Sequence, residues 1–369
     1  MAQGQITLFL CGDVMTGRGV DHVFRDSCPP HLHEPVMRSA ADYVELAERA
    51  NGPIPRPVAP AYVWGDALDV LDRRRPDARI INLETSVTTC EDADPKGINY
   101  RMHPRNVAVL TAARIDCCVL ANNHVLDWGA GGLLETLDTL GRAGIAVAGA
   151  GRDSERARAP AVIDIGRGGR VLVLALGAMD SGIPAQWAAH ATRPGVHLLP
   201  DFSERRVAEI GRTIGEHKRP GDIVVASIHW GGNWGFDIPV THRRFAHALV
   251  DRASADVVHG HSSHHPKAIE VYRGRPILYG CGDFLDDYEG IGGYDEFRSD
   301  LVLMHLPTLD AATGALVRFE MVPFALRNFR LNRADAVGLA WLHDTLGREC
   351  GRFGHAVEQR DDRLALEWR

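Results

Sequence analysis

The chain lacks any C-x-x-C pair among its seven cysteines. Cys11, Cys28, Cys90, Cys117, Cys118, Cys281 and Cys350 form no disulfide framework, and their odd number suits a reducing compartment. Several lie in apolar, strand-like runs, where cysteine behaves as a small hydrophobe. No basic segment followed by an apolar stretch opens the sequence. The first apolar run, Ile6 to Cys11, is far too short to cross a bilayer. These absences predict a soluble, cytoplasmic protein with no membrane contact. Cationic blocks are missing too. Lysine is scarce, and Arg73-Arg74-Arg75 reads as a solvated helix end. With a formal net charge of −7 and a pI near 6.2, nucleic-acid binding is not expected. No internal repeat, low-complexity segment or domain boundary is visible.

What the chain does have is apolar bulk and histidine. Of its 369 residues, 45% are apolar, enough for a large α/β core. Helical periodicity covers about 35–50, 66–74, 105–113, 132–143, 202–218, 241–253 and 334–349. Between the helices lie apolar runs at 6–10, 79–85, 116–121, 145–150, 222–229 and 256–261. Hairpins are expected around 166–169, at 268–272 with 276–279, and at 301–306 with 316–322. The alternation predicts an α/β chain of βαβ units with a largely parallel sheet. A single domain over 1–369 is expected, with its core at about 6–325 and residues 334–369 as an appendage.

The sequence is organised around the ends of its strands. The run Cys117 to Ala121 stops at Asn122-Asn123-His124, with Asp127 three residues on. Other apolar runs end in Asp13, Glu84, His229 and His261, the last followed by His264. Ligands of open α/β sheets bind at the carboxyl ends of strands. Carboxylate, amide oxygen and imidazole arriving from separate strands can surround a divalent ion, which adjacent residues on one strand cannot. The donor mix, without thiolate, suits Mn, Fe, Zn, Ca or Mg and disfavours structural zinc. Blander roles compete. Asn and Asp cap helices, so Asp127 could cap a helix starting near 130, Asp283 could form a turn, and tryptophans fill cores.

Six segments occur in order: Gly12-Asp13-Val14-Met15, Asn82-Leu83-Glu84, Ala121-Asn122-Asn123-His124-Val125-Leu126-Asp127, Ile228-His229-Trp230-Gly231, Gly260-His261-Ser262-Ser263-His264 and Tyr279-Gly280-Cys281-Gly282-Asp283-Phe284. Together, over about residues 6–325, they closely resemble the CapA family (poly-γ-glutamate capsule proteins), a branch of the calcineurin-like metallophosphatases. The resemblance implies a four-layer α/β/β/α sandwich with a metal site at the strand carboxyl ends. The departures are informative. Asp13-Val14-Met15 lacks the histidine of the metallophosphatase Asp-x-His. Asn82-Leu83-Glu84 stands for Gly-Asp-x-x-Asp, the acid after Asn-His is displaced to Asp127, and Gly-His-x-His is stretched to residues 260–264. One divalent ion (Ca, Mn, Zn or Mg) with bound waters is therefore expected, held by Asp13, Glu84, Asn123, His229 and His261. Without the paired-metal clamp, phosphomonoesterase activity is not expected.

The remaining groups read as acid–base equipment. His124 with Asp127, and His264 or His229 with Asp283, form His/Asp pairs in which the carboxylate fixes a tautomer and raises basicity. Such pairs serve hydrolysis or transfer at an amide. They also serve removal and return of a Cα proton, which needs one base per face. Capsule members of the family typically carry an N-terminal anchor, and this chain begins almost at its first motif strand. Soluble members resemble peptide-tailoring enzymes, among them an epimerase acting on the C-terminal residue of a lasso-peptide precursor. The expected activity is thus a metal-dependent isomerase, a peptide epimerase acting on the C-terminus of a precursor peptide. His124, Asp127, His264 and Asp283 would be catalytic, with Tyr100, Arg101 and Trp230 or Trp234 binding the substrate. The alternatives are an amide hydrolase or ligase of poly-γ-glutamate metabolism, a phosphoesterase, and a non-catalytic binding module. The oligomeric state stays open.

Overall fold

Apolar strands build two large sheets in the computed structural model, which describes residues 4–166 and 169–368. The ten-stranded sheet runs Ala356–Arg360, Arg363–Glu367, Leu316–Arg327, Leu301–Asp310, Gln5–Val14, Ala78–Leu83, Cys117–Val119 and Ala146–Ala148, with Asp283–Leu285 beside Gln5–Val14 and Arg330–Arg333 beside Leu316–Arg327. The seven-stranded sheet runs Leu198–Leu199, Arg170–Ala178, Ile223–His229, Val257–His261, Arg275–Leu278 and Ile269–Tyr272, with Ala161–Asp164 beside Arg170–Ala178. The paired strands that carry site residues run parallel to one another, as the βαβ rhythm predicts, although Gln5–Val14 also pairs antiparallel with Leu301–Asp310. The expected turn at 166–169 falls partly outside the described residues, which omit 167 and 168; its flanking strands pair antiparallel.

Alternation along each strand sends side chains to two faces. Leu8, Leu10, Ile80 and Val119 of the larger sheet share one apolar cluster with Val173, Val225, Val257 and Leu278 of the smaller. The other face of the larger sheet, with Phe9, Ile81 and Cys118, meets Val44, Leu71, Val109 and Leu133 from helices. The other face of the smaller sheet meets Ile210, Ile214, Phe245 and Leu249. The described residues from 334 on are built into this arrangement. Leu342 and Leu346 of the helix Ala336–Gly351 join the cluster between the sheets, and the hairpin 356–367 extends the larger sheet. Helix starts follow local chemistry. The helix expected from 35 begins at Ala40, because Ser39 and Asp42 form a capping box. Among the described residues no helix is long and apolar enough to cross a membrane.

Backbone register carries the strand ends to one rim. Asp13 lies opposite Asp283 on one side and Asn82 on the other. In the smaller sheet His229 lies opposite His261.

Candidate metal centre

At that rim Asp13, Glu84, His124, His229, His261, His264 and Asp283 are all buried. Asn82 Nδ2 bridges two carboxylates, donating to Asp13 Oδ1 at 2.7 Å and to Glu84 Oε2 at 3.3 Å. Glu84 Oε1 lies 3.8 Å from both His124 Nε2 and His229 Nε2. His229 faces Asn123 Oδ1 through Nε2 and His261 Nδ1 through its own Nδ1, each at 2.8 Å. His264 Nδ1 meets Asp283 Oδ1 at 2.9 Å. Two groups, Asp13/His229/His261 and Asp13/His264/Asp283, each bring three ligand atoms within 4.8 Å of one another, and they share Asp13.

The electrostatics are those of a site short of positive charge. Burial, then the negative charge of Asp283, pushes Asp13 up to about 7. Burial and Asp13 push Glu84 well above the usual carboxylate range. Asp283 Oδ2 is buried without a hydrogen-bond partner. Burial lowers His229 and His261 strongly, which keeps them in the neutral form that ligates metals. Orphaned carboxylate oxygen, neutral imidazoles and an O/N donor set fit a divalent cation. Asp13, His229 and His261, with Glu84 and Asn123 adjacent, would hold one ion. Asp13, His264 and Asp283 offer a second position that the one-ion expectation leaves out. Such an ion polarises a carbonyl and acidifies water when bound.

The His124 side is separately braced. His124 Nδ1 and Asp127 Oδ2 are 2.6 Å apart, and the Tyr100 amide donates to the same oxygen at 2.6 Å. Lys96 Nζ meets Asp127 Oδ1 at 2.8 Å. Asp127 thus spends its carboxylate on His124, Tyr100 and Lys96 rather than on a helix cap; the helix Gly129–Arg142 has no side-chain cap. Burial lowers His124 to about 4 against the opposing pull of Asp127. Burial also lowers His264, but Asp283 and Asp13 together pull it up and the net shift is upward.

A cleft of about 630 Å³ opens from His264 and Tyr100 and is walled by Tyr288, Trp234 and Tyr294. Trp234 stacks on Tyr294 at 4.0 Å, and the Tyr100 hydroxyl donates to that of Tyr288 at 3.0 Å. Its arginines are committed: Arg18 to Glu34 and Asp287, Arg298 to Asp300, and Arg327 to Asp335. A cavity of about 670 Å³ beside Arg158 and Arg206 includes none of these residues.

Residues 7–288 match the family model described as bacterial capsule synthesis protein PGA_cap. The chain belongs to this CapA family. It is 49% identical over 361 residues, 97% of this chain and 95% of the other, to a "Probable polyglutamine synthesis accessory protein" of Mycobacterium tuberculosis. It is 34% identical to the "PGA biosynthesis protein CapA" of Bacillus subtilis, covering 85% of this chain and 69% of that one. The "Capsule biosynthesis protein CapA" of Bacillus anthracis is 24% identical, over 77% of this chain and 60% of that protein.

In this CapA-family chain the structure brings together Asp13, Glu84, Asn123, His229, His261, His124, Asp127, His264 and Asp283. It does not bring Arg101 or Trp230 to the cleft. Arg101 lies 3.9 Å over the Trp128 ring and donates to the Cys90 carbonyl. Trp230 donates to the Tyr279 carbonyl and stacks on His242 inside the smaller sheet's helical core. Tyr100 and Trp234 do line the cleft. Sequence reasoning missed Lys96, Tyr288 and Asn233, whose amide lies 3.1 Å from His264 Nε2. Only Lys96 carried a signal, as one of three lysines in the chain.

Proposed function

We propose that this chain is a metal-dependent enzyme that cleaves or transfers an amide bond in a glutamyl-type polymer. The observation that carries the reading is the continuity of cleft and centre. His264 belongs to both, so an extended chain lying along Trp234 and Tyr294 delivers a backbone carbonyl to the Asp13 rim. Residues on that rim then supply the protein's share of the chemistry. His124, oriented by Asp127, accepts a proton from the attacking group, and His264, paired with Asp283, returns one to the leaving nitrogen. The names of the relatives, which speak of polyglutamine synthesis and capsule biosynthesis, support a polymer of this class. The four-layer metallophosphatase sandwich and a cytoplasmic location belong to the same proposal.

A second reading, inversion at Cα of a peptide, is favoured by the two His/Asp pairs, which reach the rim from different strands and could serve opposite faces of one carbon. None of the relatives reported above is named for such an activity. One experiment separates the two. Purified protein loaded with Mn2+ is incubated in heavy water with γ-linked and α-linked glutamyl and glutaminyl oligomers, and mass spectra are recorded. Metal-dependent change in chain length without Cα deuteration is the expected result. Deuterium at Cα with unchanged length would replace this reading by the epimerase.

A further inference from the structure

A file of hydrogen bonds runs through the centre from back to front. His259 Nε2 faces the Cys11 carbonyl oxygen at 2.8 Å, and His259 Nδ1 faces Ser227 Oγ at 3.0 Å. Ser227 Oγ faces His261 Nε2 at 3.0 Å. His261 Nδ1 faces His229 Nδ1 at 2.8 Å, and His229 Nε2 faces Asn123 Oδ1 at 2.8 Å. The three imidazoles and the serine are buried.

Both ends of this file are oxygens that only accept. Five links join the groups, whereas three neutral imidazoles and one hydroxyl hold four protons. Starting at Cys11, His259 must donate from Nε2, so its Nδ1 accepts. Ser227 can give its one proton to that Nδ1 or to His261 Nε2; given to His259, it leaves the serine oxygen to accept from His261 Nε2. His261 is left with a lone pair on Nδ1. Starting at Asn123, His229 donates from Nε2 and is also left with a lone pair on Nδ1. With this assignment the missing proton falls between two Nδ1 atoms, beside Asp13 Oδ1, which lies 3.9 Å from the His261 one.

We infer that Ser227 and His259, anchored on the Cys11 carbonyl, are positioning residues that hold His261 in its Nε2–H tautomer. Its Nδ1 lone pair, with that of His229, is thereby turned onto a divalent cation beside Asp13. Outer partners of this kind orient the ligating ring and raise its basicity. The inference rests on reading the centre as a metal site.

Long-range proton–nitrogen correlation spectra of the metal-free protein, with both histidine ring nitrogens labelled, read the tautomers directly. His259, His261 and His229 are each expected to be protonated at Nε2. Ser227→Ala should give His261 mixed tautomers and weaken Mn2+ binding about 10–100-fold, and Ser227→Thr, which keeps the hydroxyl, should restore both. His261 protonated at Nδ1 in the wild type overturns the inference, as does Mn2+ binding by Ser227→Ala equal to wild type. His229 protonated at Nδ1, as an Asn123 amide turned the other way would give, overturns the paired lone pairs. A wild type that binds no Mn2+ sinks the metal reading, while the tautomer spectrum still decides the relay.

Discussion

Lys96 reaches the His124 side of the centre through its ion pair with Asp127. Its side chain is 25% exposed, while that of Asp127 is fully buried. Lys96→Met leaves Asp127 Oδ1 without its cation, while Oδ2 keeps the Tyr100 amide and His124. Loss of a buried pair costs about 3–5 kcal/mol, and partial exposure of the lysine reduces this to about 2–3. We expect a lower Tm and a kcat reduced about tenfold, because the carboxylate that orients His124 is held less firmly. His264→Gln, which removes a buried partner of Asp283, should lower kcat about 100-fold or more and also lower Tm, read by turnover and thermal melts. Asp13 sets the pH response. Its folded pKa of about 7 lies above the ordinary 3.8. The unfolded chain ionises first, so in the metal-free protein this group's contribution is fullest below about pH 4 and is lost as pH rises to about 7. A cation replaces the proton, so the Tm gain from Mn2+ should grow from pH 5 to pH 8, and a gain that shrinks would count against Asp13 as a ligand. Single residues were legible where an apolar run met a polar donor. Arg101 and Trp230 were misread because neighbours on extended chain point to opposite faces. Tyr100 and His229 face the site, and the residues after them turn away.

At the scale of elements, the long strands and helices were legible from period and capping, but the three-residue strand Asp283–Leu285 was not. Its place depends on a close backbone approach that no hydrophobic pattern encodes. A Cβ on Gly12 would come within 1.7 Å of the Gly282 carbonyl oxygen. Gly12→Ala should therefore push the Asp283 strand away from the Asp13 strand. Overpacking of this kind costs about 1–3 kcal/mol, and more where backbone is the obstacle. The variant should melt lower and lose Mn2+ affinity together. A variant that melts lower yet binds Mn2+ normally would show that Asp283 takes no part in the centre. The C-terminal hairpin was likewise invisible as part of the core, because its apolar residues count only once the sheet exists to receive them.

For the whole molecule, the formal charge of −7 and the cleft's committed arginines act in the same direction. A polymer bearing free carboxylates meets a repulsive field that salt screens. Its binding should strengthen as ionic strength rises from 20 to about 200 mM, whereas an oligomer with carboxamide side groups should bind with little salt dependence. Calorimetry at two salt concentrations decides it; binding of the carboxylate form that weakens with salt would mean that an uncommitted cation has been overlooked. The shared place of Asp13 in both candidate triads has a consequence in time. Asp13 leaves the ribosome long before Asp283, its partner on the neighbouring strand. A nascent chain cannot close the centre until Asp283 has emerged. A cation captured there would act as a latch, joining two strands made far apart in time.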